Sequence, residues 1–139
     1  MRLHALLLAA AVALAAAAPA ARAADDDAPA IRGVIQAQVD AFLRRDAATA
    51  FGYASPMIRG MFGTPDNFGL MVRQGYPMIW APSRVEFLGL REVGGRPYQR
   101  VLFRDAAGAI HLFDYEMVEG PEGWKINGVF PVAPEQAGA

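Results

Sequence analysis

From Arg84 to the end of the chain, apolar and polar residues alternate with a period near two; before Arg84 they recur with a period near 3.6. The first pattern predicts half-buried strands and the second predicts amphipathic helices. IRGVIQAQVDAFLRR places Ile31, Val34, Ile35, Gln38 and Phe42 on one stripe of a helix. Asp46 then stands as the N-cap of a second helix, AATAFGYA, whose Ala47, Ala50, Phe51 and Ala54 face inward. Ser55-Pro56 and Thr64-Pro65 each place a capping hydroxyl before a proline suited to the first helical position. They open MIRGMF, with Met57, Ile58, Met61 and Phe62 expected to be buried, and DNFGLMVRQ, with Phe68, Met71 and Val72 inward and Gly75 as its stop. YPMIWAP reads as a loop leading into the strands.

Four strand-like runs follow: RVEFLGLREV, PYQRVLFRD, AIHLFDYEMVE and GWKINGVFPV. The breaks are Gly94-Gly95, Asp105 to Gly108, and Gly120-Pro121-Glu122-Gly123. Such short connections make successive strands antiparallel neighbours. Alternation puts Val85, Phe87, Val101, Phe103, Phe113, Tyr115, Met117, Trp124, Ile126 and Phe130 on the inner face, and a bulge at Gly89 would bring Leu90 in. Helices first and a strand meander afterwards define an α+β fold with about four strands.

The opening MRLHALLLAAAVALAAAAPAARA changes the picture of location. Arg2, the apolar stretch Leu3 to Ala18 and the small-x-small site Ala21-Arg22-Ala23 read as a secretory signal. The apolar stretch is shorter than the roughly 20 residues of a spanning helix. Cleavage after Ala23 would leave a periplasmic or secreted protein without membrane insertion. It would consist of a flexible leader over 24–30, one domain over 31–132 and a flexible tail over 133–139. That mature chain carries 11 basic residues against 14 acidic, a balance that argues against nucleic acid as a partner. The absence of Cys removes disulfides and thiol chemistry, and with one His left after cleavage no metal or cofactor site is expected.

The helix ending near an Asp, the proline-capped turns and the closing GWKINGV together resemble the nuclear transport factor 2-like cone fold, the group of SnoaL and ketosteroid isomerase, itself cystatin-like. More narrowly, VIQAQVDAF, ASPMIRGMFGTPDNFGLMVRQGYPMIW and the chain's end are similar to an exported bacterial family, domain of unknown function 4864, over Ile31 to Val132. The resemblance implies helices closing one side of a curved sheet, with a pocket between them. It implies no reaction, because this fold hosts many.

Ala54 to Trp80 holds four of the six methionines together with Phe62, Phe68, Tyr76 and Trp80. Methionine suits adaptable apolar surfaces, although most such stripes are core packing. Within the implied pocket, Met57, Met61 and Phe62 would shape the wall. Tyr76 and Trp80, large apolar bodies with polar tips, would reach a ligand. Gln38 sits where a valine or leucine is expected, so its amide meets either a backbone group or a ligand. His111 shares a strand face with Phe113 and Tyr115 and has chemistry suited to proton transfer. Asp114 and Glu116 alternate onto the opposite, solvated face.

No triad, phosphate loop or nucleophile elbow is present. The leading expectation is therefore a non-catalytic protein that binds a small apolar molecule. An isomerase- or hydratase-like enzyme using His111 or Tyr115 is the second expectation. The third is a homodimer paired through the outer sheet face, where Leu88, Leu102, Leu112 and Val118 alternate.

Overall fold

The computed structural model describes residues 20–133. Five helices precede a single sheet: α1 (Ala20–Leu43), α2 (Ala47–Gly52), α3 (Pro56–Phe62), α4 (Pro65–Gly75) and α5 (Pro77–Trp80), then β1 (Arg84–Val93), β2 (Arg96–Arg104), β3 (Ile110–Gly120) and β4 (Gly123–Pro131). The strands pair in chain order, all antiparallel, into a curved four-stranded sheet, and the helices pack on one face of it. The fold is α+β.

The helix starts follow from their caps. The Asp46 carboxylate accepts from Thr49 N, the Ser55 hydroxyl from Ile58 N and the Thr64 hydroxyl from Asn67 N. Each satisfies a donor that the first helical turn leaves free. Pro56 and Pro65 follow at the first helical position, where a missing N–H costs nothing. Pro77 does the same for α5, so the expected loop YPMIWAP contains one helical turn that buries Ile79.

α1 begins well before Ile31. The segment 24–30, expected as a flexible leader, continues the helix through Pro29, which lacks the N–H for a bond to the fourth residue back. Asp26, Pro29 and Ala30 are exposed, and Asp27 and Ala28 are half-buried. The expected signal segment falls outside the described residues over 1–19, and the tail does so over 134–139.

Ile31, Ile35, Val39 and Phe42 of α1 lie on the sheet's inner residues Val101, Phe103, Tyr115 and Met117, all of them buried. Two bulges set the register. One falls between Phe87 and Leu90, as Gly89 suggests, and turns Leu90 toward the core. Gln99, wholly buried, fastens it: its Nε2 donates to the carbonyls of Leu88 at 2.8 Å and Arg100 at 2.8 Å, and its Oε1 accepts from Arg32 Nε at 3.1 Å.

The second bulge falls opposite Glu116 and Met117, at Asn127. It corrects the alternation expected for β4. Ile126 pairs with Met117 and Val129 with Tyr115, whereas Phe130 pairs with Asp114 on the outer face and is half exposed.

Candidate functional site

The chain from Tyr53 to Ser55 runs beside the outer edge of β4. Ile126 N donates to the Tyr53 carbonyl at 2.9 Å and Ser55 N to the Ile126 carbonyl at 2.8 Å, with Ala54 and Ile126 forming a parallel bridge. This short pairing covers part of an otherwise open strand edge. It also holds the start of α3 against the sheet, so that α3 and α4 stand off from β3 and β4 farther along. Between them lies an open-mouthed cavity of about 350 Å³.

Its helical wall comes from Met57, Ile58, Met61 and Phe62 of α3 and from Phe68, Met71 and Val72 of α4. The sheet wall is Tyr115 with Ile126 to Phe130, and Gln38 and Phe42 of α1 close the inner end. No lining residue is charged. The volume is within the range of small-molecule sites.

Met57 and Met61 were expected inside α3's packing. They are 54% and 68% exposed instead. The reason is the length of α3: a helix of 7 residues has one face to bury, and Ile58 and Phe62 occupy it. The two methionines form the cavity's lip. A pair of exposed, flexible apolar side chains beside an apolar hollow is unlike core packing.

Six residues singled out from the sequence line the cavity: Gln38, Met57, Met61, Phe62, Tyr76 and Tyr115. Trp80 and His111 do not. Trp80 packs its ring 5.6 Å from that of Phe42 and beside Gly69, against the core but outside the cavity lining. His111 sits at the start of β3, and its Nε2 meets Asp105 Oδ2 at 2.8 Å. Alternation put His111 on the Tyr115 face correctly, but it could not show that the cavity lies toward the other end of the strand.

Four polar side chains belong to the lining residues: Gln38, Tyr76, Tyr115 and Asn127. Gln38 Nε2 donates to the Ala50 carbonyl at 3.1 Å, while no partner among the described residues engages its Oε1. Asn127 is fully engaged: its Oδ1 accepts from Ser55 Oγ at 2.7 Å and its Nδ2 donates to Glu116 Oε1 at 3.0 Å. The Tyr115 hydroxyl differs from both. It is wholly buried and has no hydrogen-bond partner. Burial therefore pushes the phenol's pKa well above its ordinary value and keeps it protonated.

Behind the sheet wall, Asp114 and Glu116 are not on a solvated face as expected. Arg100 clamps Asp114 through Nε at 3.0 Å and Nη2 at 3.2 Å, and Arg91 adds a third bond at 3.0 Å. Glu116 accepts from Arg96, Tyr98 and Asn127. Burial by itself would raise the Glu116 pKa, and the bonds from Asn127, Arg96 and Tyr98 together bring it below the ordinary value. The sequence signal missed was Asn127, a polar residue at the bulge that ties this carboxylate to the cavity wall.

Residues 24–139 match the family described as Domain of unknown function (DUF4864). The chain belongs to that family. No curated protein and no solved structure matches it. Membership in DUF4864 brings no assigned reaction, so the chemistry rests on the cavity. Among the described residues no group of His, Asp and Glu is placed to hold a metal ion, and no helix is long and apolar enough to cross a membrane.

Proposed function

We propose that the protein is an exported, non-catalytic carrier or sensor that binds a small, mainly apolar molecule between α3, α4 and the sheet. The observation that carries this reading is the cavity: about 350 Å³, uncharged, with two exposed methionines at its mouth. Helices closing one face of a curved sheet around a hollow is the arrangement of the nuclear transport factor 2-like cone fold, and the secretory pattern of residues 1–23 supports export. His111 lies away from the cavity, and the Tyr115 phenol holds its proton too tightly for transfer near neutral pH. Both facts favour binding over catalysis.

The test is titration with N-phenyl-1-naphthylamine, a neutral apolar fluorophore, against the wild type and Ile58→Trp. Ile58 is half-buried on the helical wall, so an indole there occupies the hollow while α3 keeps its caps. Saturable one-to-one binding to the wild type, weakened at least tenfold in a variant that melts normally, is the expected result. Equal binding by both proteins overturns the proposal, as does the absence of saturable binding.

A further inference from the structure

We infer that Met57 and Met61 form a modification site: a peroxide oxidises their thioethers to sulfoxides, and the change weakens binding in the cavity they border. The inference rests on the cavity being a ligand site and adds a means of regulating it.

Exposure separates these two from the other methionines. Met57 and Met61 are 54% and 68% exposed, whereas Met71 and Met78 are half-buried and Met117 is wholly buried. At such exposure the long side chain, thioether included, is open to solvent, and an oxidant must reach the sulfur to react. The chain has no Cys, so no thiol of its own competes for the oxidant. A spacing of four residues puts Met57 and Met61 one turn apart on the same flank of α3, clear of the face that Ile58 and Phe62 bury. Both nevertheless belong to the cavity lining. Leucine would give an apolar lip of similar size without this reactivity.

The chemistry needs only the peroxide. A sulfur lone pair attacks one oxygen of a hydroperoxide, an S–O bond forms and the O–O bond breaks. The departing oxygen leaves with the proton as water or an alcohol, and the two electrons lost by sulfur reduce the peroxide. The product side chain is polar and carries an acceptor oxygen. While the hollow is empty, water solvates that oxygen. A seated apolar molecule strips the water away, and no Arg or Lys lines the cavity to donate in its place. Folding is affected far less, since α3 keeps its Ser55 cap and its buried Ile58 and Phe62. An oxygen on Met117, by contrast, would sit inside the core. Mild oxidation therefore acts on binding before it acts on the fold.

The test treats the wild type and Met57→Leu/Met61→Leu with graded hydrogen peroxide, stopped with catalase. Peptide mass spectrometry locates each added oxygen, thermal melting follows the fold, and N-phenyl-1-naphthylamine titration follows the cavity. Met57 and Met61 are expected to oxidise before Met71, Met78 and Met117, and wild type oxidised at both is expected to bind about tenfold more weakly while melting normally. The double variant, whatever its starting affinity, should keep that affinity after the same dose. Saturating fluorophore present during treatment should slow oxidation at Met57 and Met61 and leave the rate at Met78, outside the lining, as it was.

Early oxidation of Met71, Met78 or Met117, or a lip oxidised with no loss of affinity, overturns the inference while the cavity stays a ligand site. So does a double variant that loses affinity as the wild type does. If that variant does not fold, the protection experiment decides, and equal rates at Met57 and Met61 with and without fluorophore overturn the inference. If the fluorophore fails to bind untreated wild type, the site reading falls and this inference falls with it.

Discussion

Ser55 Oγ donates to Asn127 Oδ1 at 2.7 Å while accepting from Ile58 N at 3.3 Å, so one buried hydroxyl both starts α3 and fastens it to the β4 bulge. The two roles have separate costs when removed. An N-cap lost to alanine costs about 1 kcal/mol, and leaving the Asn127 oxygen without its donor adds roughly 1–3 kcal/mol. Ser55→Ala is therefore expected to destabilise by about 2–3 kcal/mol in urea unfolding and to weaken apolar-probe binding, since α3 is a cavity wall. Thr at the same position keeps both bonds and should recover most of the loss. A cost under about 0.5 kcal/mol would mean that the contact is idle.

Tyr115 and Tyr98 make a controlled pair. Tyr98 donates to Glu116 Oε2 at 3.0 Å, and the Tyr115 hydroxyl donates to nothing. Without ligand, Tyr115→Phe discards a desolvated group and forfeits no bond, so stability should hold or rise by up to about 1–2 kcal/mol. Tyr98→Phe breaks a bond to a carboxylate and should lower stability by about 1 kcal/mol, in part because Tyr98 is half exposed. Denaturation of ligand-stripped protein decides it. A clear loss from Tyr115→Phe would reveal a structural partner for that hydroxyl, such as an ordered water.

Acid sensitivity has a definite sign. The pKa of Glu116 is below its ordinary 4.5 in the folded protein, and those of Asp46 and Asp105 are below 3.8. For Asp46 the first cause is the Thr49 hydroxyl, and for Asp105 it is the bond with His111. A lowered folded pKa means that the unfolded chain binds protons first. The stabilisation is complete above the unfolded values and is lost as pH falls below about 4.5 and on through the folded ones. The urea midpoint should be level from pH 7 to about 5.5 in respect of these groups and decline below about 4.5. Glu116→Gln should start from a lower midpoint at pH 7 and decline less steeply. A variant slope equal to that of the wild type would remove Glu116 from the account.

Much of this was legible in the sequence because it is local. Asp46, Ser55 and Thr64 cap helices through hydrogen bonds reaching only three residues ahead, and the meander follows from alternation and short turns. Gly89 announced its bulge because a glycine inside a strand weakens the ladder there. The Asn127 bulge had no such marker, and one extra residue was enough to turn Phe130 from the inner face to the outer. The outer carboxylates were misread for a related reason. Asp114 and Glu116 look solvated until Arg91, Arg96 and Arg100 arrive from β1 and β2, and that pairing is a property of register, not of any one strand. Gln38, Met57, Met61, Phe62 and Tyr115 line the hollow because helix and strand faces are periodic, and Tyr76 lines it from the junction between α4 and α5. His111 does not, because periodicity fixes a face without fixing how far along it the cavity extends, and Trp80 does not, because the helical turn Pro77–Trp80 packs it against Phe42 instead.

The helical layer rests on one close approach, and it sets two effects of opposite sign against each other. Gly69 in α4 lies under α2, where a Cβ would stand 2.9 Å from Ala47 Cβ. Replacing a helical glycine by alanine ordinarily gains about 1 kcal/mol from backbone entropy. Here the added methyl meets another methyl on a helix that cannot rotate away, and overpacking costs typically 1–3 kcal/mol. The steric cost should win, so Gly69→Ala is expected to destabilise by about 1 kcal/mol and to push α4, with Phe68 and Val72, toward the cavity. Ala47→Gly alone removes a half-buried methyl at the first helical position of α2 and should cost about 0.5–1 kcal/mol. Combined, the two changes move the methyl from one helix to the other and restore the fit. The double variant should therefore be more stable than Gly69→Ala, with a favourable coupling of about 1 kcal/mol in a double-mutant cycle. Strict additivity would show that α2 and α4 are free to separate, and a cavity wall hung on that contact would then lose its anchor.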